Sequence, residues 1–214
     1  MADISNILIV EDNDDYTAGA REFFSQIGIN PLIAIDYDDA KTHIEYANLR
    51  GALVDCFFPY KTGSGTISVG DQALMKMQFE NAKPKRDSPI TRALEQVGDL
   101  LGEDFAKFAA KNAGINYDAY LDHYKVIAKA MDESEHNQPL GILVGEMLDR
   151  REIPFVLATS THHHDSMTQP IQDYASRKGW RLIDCNPGQE NEKTTQGFWK
   201  RAYTALEEVI GGKS

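Results

Sequence analysis

Carboxylates in this sequence gather directly behind short apolar runs. Ile7 to Val10 passes into Glu11, Asp12, Asn13, Asp14 and Asp15, and the run Ala52 to Asp55 is followed by Cys56, Phe57, Phe58 and Pro59. A third run, Phe155 to Ala158, ends in Thr159 and Ser160, and a fourth, Arg181 to Cys185, in Asn186 and Pro187. Three carboxylates brought together raise one another's pKa unless a cation joins them. A small set of oxygen ligands suits Mg²⁺, which keeps several waters and takes one or two carboxylates directly. The run Glu11 to Asp15 also has a plainer reading as a solvated helix start, where acidic side chains oppose the helix dipole.

Such groups act together only if the fold brings the ends of these runs to one edge. Along both flanks of the chain, short apolar runs alternate with amphipathic stretches. Strands are expected at Ile7 to Val10, Leu32 to Ile35, Ala52 to Asp55, Phe155 to Ala158 and Arg181 to Cys185. Helices are expected at Tyr16 to Ile27, closed by Gly28, and at Asp38 to Asn48, Gly141 to Arg151, Pro170 to Lys178 and Thr195 to Ile210. Alternation of this kind predicts a five-stranded parallel sheet with helices on both faces, since right-handed crossovers leave few other arrangements. In such sheets reactive groups collect at the carboxyl ends of the strands.

Between the two flanks, residues 60–137 interrupt the rhythm. This stretch opens with KTGSGTISVG and continues with helical periodicity at Asp71 to Ala82, Pro89 to Leu101, Asp104 to Asn112 and Tyr117 to Asp132. Ser88 before Pro89 reads as a helix start, and Gly102 and Gly114 as stops. A small helical subdomain is expected here, with KPKRDSP as an exposed basic turn.

The 214 residues carry 22 basic and 33 acidic side chains, a net charge of −11. A duplex phosphate backbone is an unfavourable partner for that charge. Residues 60–137 hold 10 basic and 12 acidic residues, so most of the acidic excess lies in the flanks that carry the carboxylate pattern. No apolar run approaches the roughly 20 residues that cross a bilayer, and MADISNILIVEDND lacks the basic start of a secretory leader. A cytoplasmic location is expected. Cys56 and Cys185 sit in apolar segments without ligand spacing, which points to buried reduced thiols.

The motifs ILIVEDN at 7–13, VDCFFP at 54–59, PFVLATS at 154–160 and Asn186 followed by Pro187 resemble, in order, the receiver domain of two-component response regulators, the CheY-like family. The resemblance covers residues 1–59 and 138–214, and it implies the flavodoxin-like strand order 2-1-3-4-5. It further implies Asp55 as phosphoryl acceptor, Asp12 as direct Mg²⁺ ligand, Glu11 as a ligand through water and the Phe57 carbonyl as a third protein ligand. Thr159 would be the hydroxyl that moves to the phosphoryl oxygen. A histidine kinase or phosphotransfer protein would be the donor. The output would be a contact with a downstream protein, for which residues 60–137 are a candidate surface.

Three features depart from that family. Asn186 stands where a lysine usually contacts the phosphoryl group, and an amide brings no charge, so weaker phosphoryl stabilisation is expected. Ile183 stands at the aromatic switch position. The insertion follows the acceptor loop directly. His162, His163 and His164 read either as a metal contact or a substitute for the missing lysine, or more plainly as exposed loop residues, since three in a row cannot all face one point. Two other functions share parts of the pattern: a phosphorylation-independent pseudo-receiver, and a haloacid-dehalogenase-like phosphatase. Against the phosphatase, Phe57 stands where its second aspartate is needed, and only 54 residues follow Ser160.

Overall fold

The structure, a computed structural model, describes residues 6–61, 67–82, 121–161, 165–186 and 189–212. Strands β1 (Asn6–Val10), β2 (Leu32–Ala34), β3 (Leu49–Val54), β4 (Phe155–Ala158) and β5 (Arg181–Ile183) form one sheet. All neighbours are parallel and the order is β2-β1-β3-β4-β5. Helices α1 (Asp14–Gln26), α2 (Tyr37–Tyr46), α3 (Ile67–Ala82), α4 (Leu121–Glu133), α5 (Gly141–Arg150), α6 (Thr168–Lys178) and α7 (Gln196–Gly212) complete the described elements, with 3-10 turns at Glu135–Asn137 and Glu190–Thr194. None of these helices is long and apolar enough to cross a membrane.

Strand side chains alternate between two apolar clusters, as the pleat requires. Ile7, Ile9, Leu53, Val156 and Ala158 face α1 and α7, where Phe23, Phe24, Phe198, Trp199 and Leu206 are buried against them. Leu8, Val10, Ala52, Val54, Phe155 and Leu157 face the other way, under α2, α5 and α6. Continuous apolar strands are what a sheet covered on both faces demands.

The expected β/α rhythm therefore appears with its elements in place, and the differences are local. Helix α1 begins at Asp14, before Tyr16, because Asn13 caps it: the Asn13 side-chain oxygen Oδ1 accepts from Asp15 N–H at 2.9 Å and Tyr16 N–H at 3.3 Å. Gly28 closes this helix with a left-handed φ of 74°, as expected for a C-terminal glycine. Strand β5 ends at Ile183, and the residues after it form the 3-10 turn Glu190–Thr194, which the periodicity did not predict.

Of the insertion, α3 and α4 are described, whereas the helices expected at 89–101 and 104–112, the basic turn KPKRDSP and the histidines at 162–164 lie outside the described residues. Ala73, Leu74 and Met77 of α3 and Tyr124, Ile127 and Met131 of α4 are buried in the same cluster that lies under α5 and α6. A polar knot joins these layers. Glu146 of α5 accepts from the Tyr174 hydroxyl of α6 at 2.5 Å and pairs with Lys178 at 3.0 Å and with Lys76 of α3 at 3.3 Å. Burial alone would raise the Glu146 carboxyl, but the Tyr174 hydroxyl, Lys178 and Lys76 outweigh it and hold it down to about 2.

Because that folded-state value lies below the ordinary 4.5, the stabilisation is fully present above 4.5 and is lost as pH falls towards 2. Glu146→Gln is therefore expected to cost about 1–2 kcal/mol at pH 7. Its deficit relative to wild type in denaturant melts should shrink steadily below pH 4.5. A deficit that does not change with pH would place the effect in packing instead of charge.

Candidate functional site

Parallel pairing brings the three acidic and hydroxyl-bearing strand ends side by side. Val10 is in register with Val54, and Val54 with Leu157. Beyond them, Asp55 N–H donates to the Val10 carbonyl and Thr159 N–H to the Ile183 carbonyl, both at 2.9 Å. The first residues past β1, β3 and β4 are thus Glu11, Asp55 and Thr159, with exposures of 1%, 7% and 1%. Helix α5 starts against the same loop: a Cβ on Gly141 would come within 2.3 Å of the Asp55 carbonyl oxygen, so only glycine permits this approach.

The structure separates the acidic run into two parts. Asp14 and Asp15 are exposed in the first turn of α1, as the plainer reading of the run holds. Glu11 and Asp12 precede the cap and are less exposed, and with Asp55, Phe57 and Ser160 they line a cleft of about 560 Å³ that Asp14 and Asp15 also border. One carboxylate oxygen from each of Glu11, Asp12 and Asp55 lies within 4.8 Å of the others.

Lys193 enters this cluster, and sequence reasoning did not single it out. Its ammonium, fully buried, donates to Asp55 Oδ1 at 2.8 Å and pairs closely with Glu11 Oε2. It also lies 5.4 Å from the centre of the Tyr16 ring and 6.0 Å from that of Trp199. Burial by itself would lower the Lys193 pKa, but the Asp55 and Glu11 charges more than reverse this and hold the ammonium protonated. The turn Glu190–Thr194 delivers it: the Trp199 indole N–H donates to the Lys193 carbonyl at 2.7 Å and anchors the backbone.

Asn186 stands apart from the carboxylates. It is exposed, and its side-chain amide donates to both Glu192 carboxylate oxygens, at 3.1 and 3.0 Å. Asn186 brings no charge to the cleft, as its residue type implies, and the cation beside the carboxylates is Lys193, seven residues later. Thr159 Oγ shares hydrogen bonds with the Thr161 hydroxyl at 2.9 Å and the Thr161 N–H at 3.3 Å. Thr161 in turn bonds to Thr168 at the start of α6. Cys56 and Cys185 are buried and unpaired, and burial pushes the thiol of Cys185 up to about 11.

A second group comes from the far side of the insertion. His136 Nδ1 lies 2.5 Å from Asp12 Oδ2, with the ring about half exposed. The segment behind it is stitched to the loop after β3, with Phe58 N–H donating to the Gln138 carbonyl at 3.1 Å and Gly141 N–H to the Cys56 carbonyl at 3.2 Å. No sequence signal marks His136, which stands 124 residues from its partner.

One ammonium does not balance three carboxylates. Burial, aided by the Asp55 charge and only partly offset by Lys193, raises the Glu11 carboxyl above its ordinary range. Burial likewise raises Asp12, against the hydrogen bond from His136. This residual negative charge, with oxygen donors converging on one cleft, fits a divalent cation: Asp12 and Asp55 offer carboxylate oxygens, and Phe57 lines the same cleft. Compared with protein-family models, with curated proteins and with solved structures, the chain matches none of them.

Two outcomes follow from this balance of charge. Lys193→Met, which leaves Glu11 and Asp55 without their buried partner, is expected to cost about 3 kcal/mol in urea melts. A variant as stable as wild type would mean that the carboxylates discharge by taking up a proton. Mg²⁺ at 100 times its dissociation constant should stabilise the wild type by about 2.7 kcal/mol. Asp12→Ala should abolish that gain, and a melting temperature that Mg²⁺ leaves unchanged in both proteins would remove the metal from the site.

Proposed function

We propose that this chain is an atypical receiver in two-component phosphorelay signalling, which accepts a phosphoryl group on Asp55. The observation that carries the reading is the buried Lys193 ammonium on Asp55 Oδ1, with Asp12 and Glu11 in the same cleft and Thr159 on the neighbouring strand end. Asp55 supplies the nucleophilic oxygen, while the donor's bond to phosphorus breaks and the electron pair stays with the leaving group: an imidazole if the donor is phosphohistidine, acetate if it is acetyl phosphate. Mg²⁺ held by Asp12, Asp55 and the Phe57 carbonyl would neutralise the phosphoryl oxygens during transfer. Lys193 binds an oxygen of the incoming group when it releases Asp55 Oδ1, and the Thr159 hydroxyl donates to another. A histidine kinase or a phosphotransfer protein supplies the phosphoryl group, and the output is a contact with a downstream protein, for which residues 60–137 are the candidate surface.

A phosphorylation-independent binding domain is the second reading. It is favoured by the low exposure of Asp55 beneath its ion pair. Intact mass after incubation with acetyl phosphate and Mg²⁺ separates the two. One added phosphoryl group on the wild type and none on Asp55→Asn is the outcome expected here. An unmodified wild type that also shows no spectral change with beryllofluoride would give preference to the second reading.

A further inference from the structure

The turn that delivers Lys193 is held by a carboxylate that touches neither the cleft nor Asp55. Glu192, next in sequence to Lys193, has a side chain only 11% exposed. It accepts from the Asn186 backbone N–H at 2.8 Å and from the Asn186 side-chain amide with both oxygens, and it pairs closely with Arg201 of α7. Arg201 also donates to the Asp184 carbonyl at 3.2 Å, and its guanidinium lies 5.5 Å from the centre of the Phe198 ring. The same carboxylate therefore binds the chain leaving β5, the turn and the first half of α7 to one another. The Arg201 hydrogen bond and the Asn186 amides hold its carboxyl below the ordinary range, against a small effect of burial.

We propose that Glu192 is a positioning residue, which acts through Lys193 by clamping the turn Glu190–Thr194 between Asn186 and Arg201 so that the ammonium reaches Asp55. The proposal rests on the phosphoryl-acceptor reading only for its catalytic consequence; the placement of Lys193 can be tested without it. A 3-10 turn of five residues has few internal hydrogen bonds, so its orientation is set by its anchors. Two of these are a hydrogen bond from α7 and a close backbone approach to α1. Trp199 holds the Lys193 carbonyl, and Thr194 packs so tightly on α1 that a Cβ on Gly19 would come within 2.4 Å of its carbonyl oxygen. Both fix the backbone on the side towards α1 and α7. Glu192 ties the turn by its side chain to the end of β5, beside the Gln189 N–H bond to the Asn186 carbonyl at 3.0 Å, and so to the edge from which Thr159 and Asp55 emerge. On this view Asn186 serves the cation without replacing it: its amide, in place of the usual lysine, holds the residue beside the substitute lysine.

The test uses the full-length chain and reads two things: the rate of Asp55 phosphorylation by acetyl phosphate with Mg²⁺, and the acetylation of Lys193 by acetic anhydride, located by peptide mass. Cys56 alkylation serves as a control for global opening, since that thiol is fully buried on the other side of Asp55 in sequence. In Glu192→Ala, Lys193 acetylation should rise at least tenfold with Cys56 alkylation unchanged, and phosphorylation should slow towards the rate of Lys193→Met. In a Lys193→Met background, Glu192→Ala should slow phosphorylation no further, as required of a residue that acts only through Lys193. Asn186→Ala, an exposed and milder change, should shift both readouts in the same direction by less, and it serves where Glu192→Ala folds poorly.

Equal rises in Lys193 and Cys56 labelling would reduce Glu192 to a contributor to stability and overturn the proposal. So would a further loss of rate in the Lys193→Met background. If no protein, wild type included, gains a phosphoryl group, the acceptor reading falls, and the labelling ratio alone decides the clamp.

Discussion

The structure turns on one buried ammonium. Lys193 lies between Glu11 and Asp55 at the carboxyl edge of the sheet, where each carboxylate alone would be costly to bury. Removing two carboxylates and an ammonium from water is favourable only when their geometry is good and the remaining lone pairs are satisfied. Asn13 N–H on Glu11 at 3.1 Å meets part of that demand, and the Tyr16 and Trp199 rings face the cation.

From that requirement much of the local architecture follows. Glu11 and Asp55 continue the parity of Ile9 and Leu53, the residues that face α1 and α7. A cation for them must come from that side, and the turn Glu190–Thr194, lodged between α1 and α7, supplies it. Asp12 is one residue out of parity. It opens onto the cleft, where His136 meets it, and so belongs to the exchangeable part of the site. The cluster thus has an inner pair that shares one ammonium of the protein and an outer carboxylate that faces the cleft.

The insertion is tied to this site from two sides. Its described helices α3 and α4 are buried against α5 and α6, with Glu146 as the charged joint, and its last turn reaches back to Asp12. Residues 134–138 thus join α4 to the acidic cluster through His136.

The strands were legible in the sequence because they rest on local signals, while their order was implied by the family resemblance. Runs such as ILIV and FVLA, separated by amphipathic stretches of helical period, admit few arrangements other than a parallel sheet, and right-handed crossovers reduce these to a handful. The same reasoning placed Glu11, Asp55 and Thr159 at one edge, since strand ends in a parallel sheet share a side. It could not find Lys193 or His136. Lys193 lies in a 3-10 turn of no hydrophobic period, among polar residues that read as a loop, and its role depends on how Glu192, Trp199 and Gly19 orient that turn. His136 depends on the path of a 78-residue interruption back to the acceptor loop. Periodicity reports which face of an element is buried, whereas contacts between distant loops are set by packing, and so the acidic half of the site was readable in the chain and its basic half was decided by the fold.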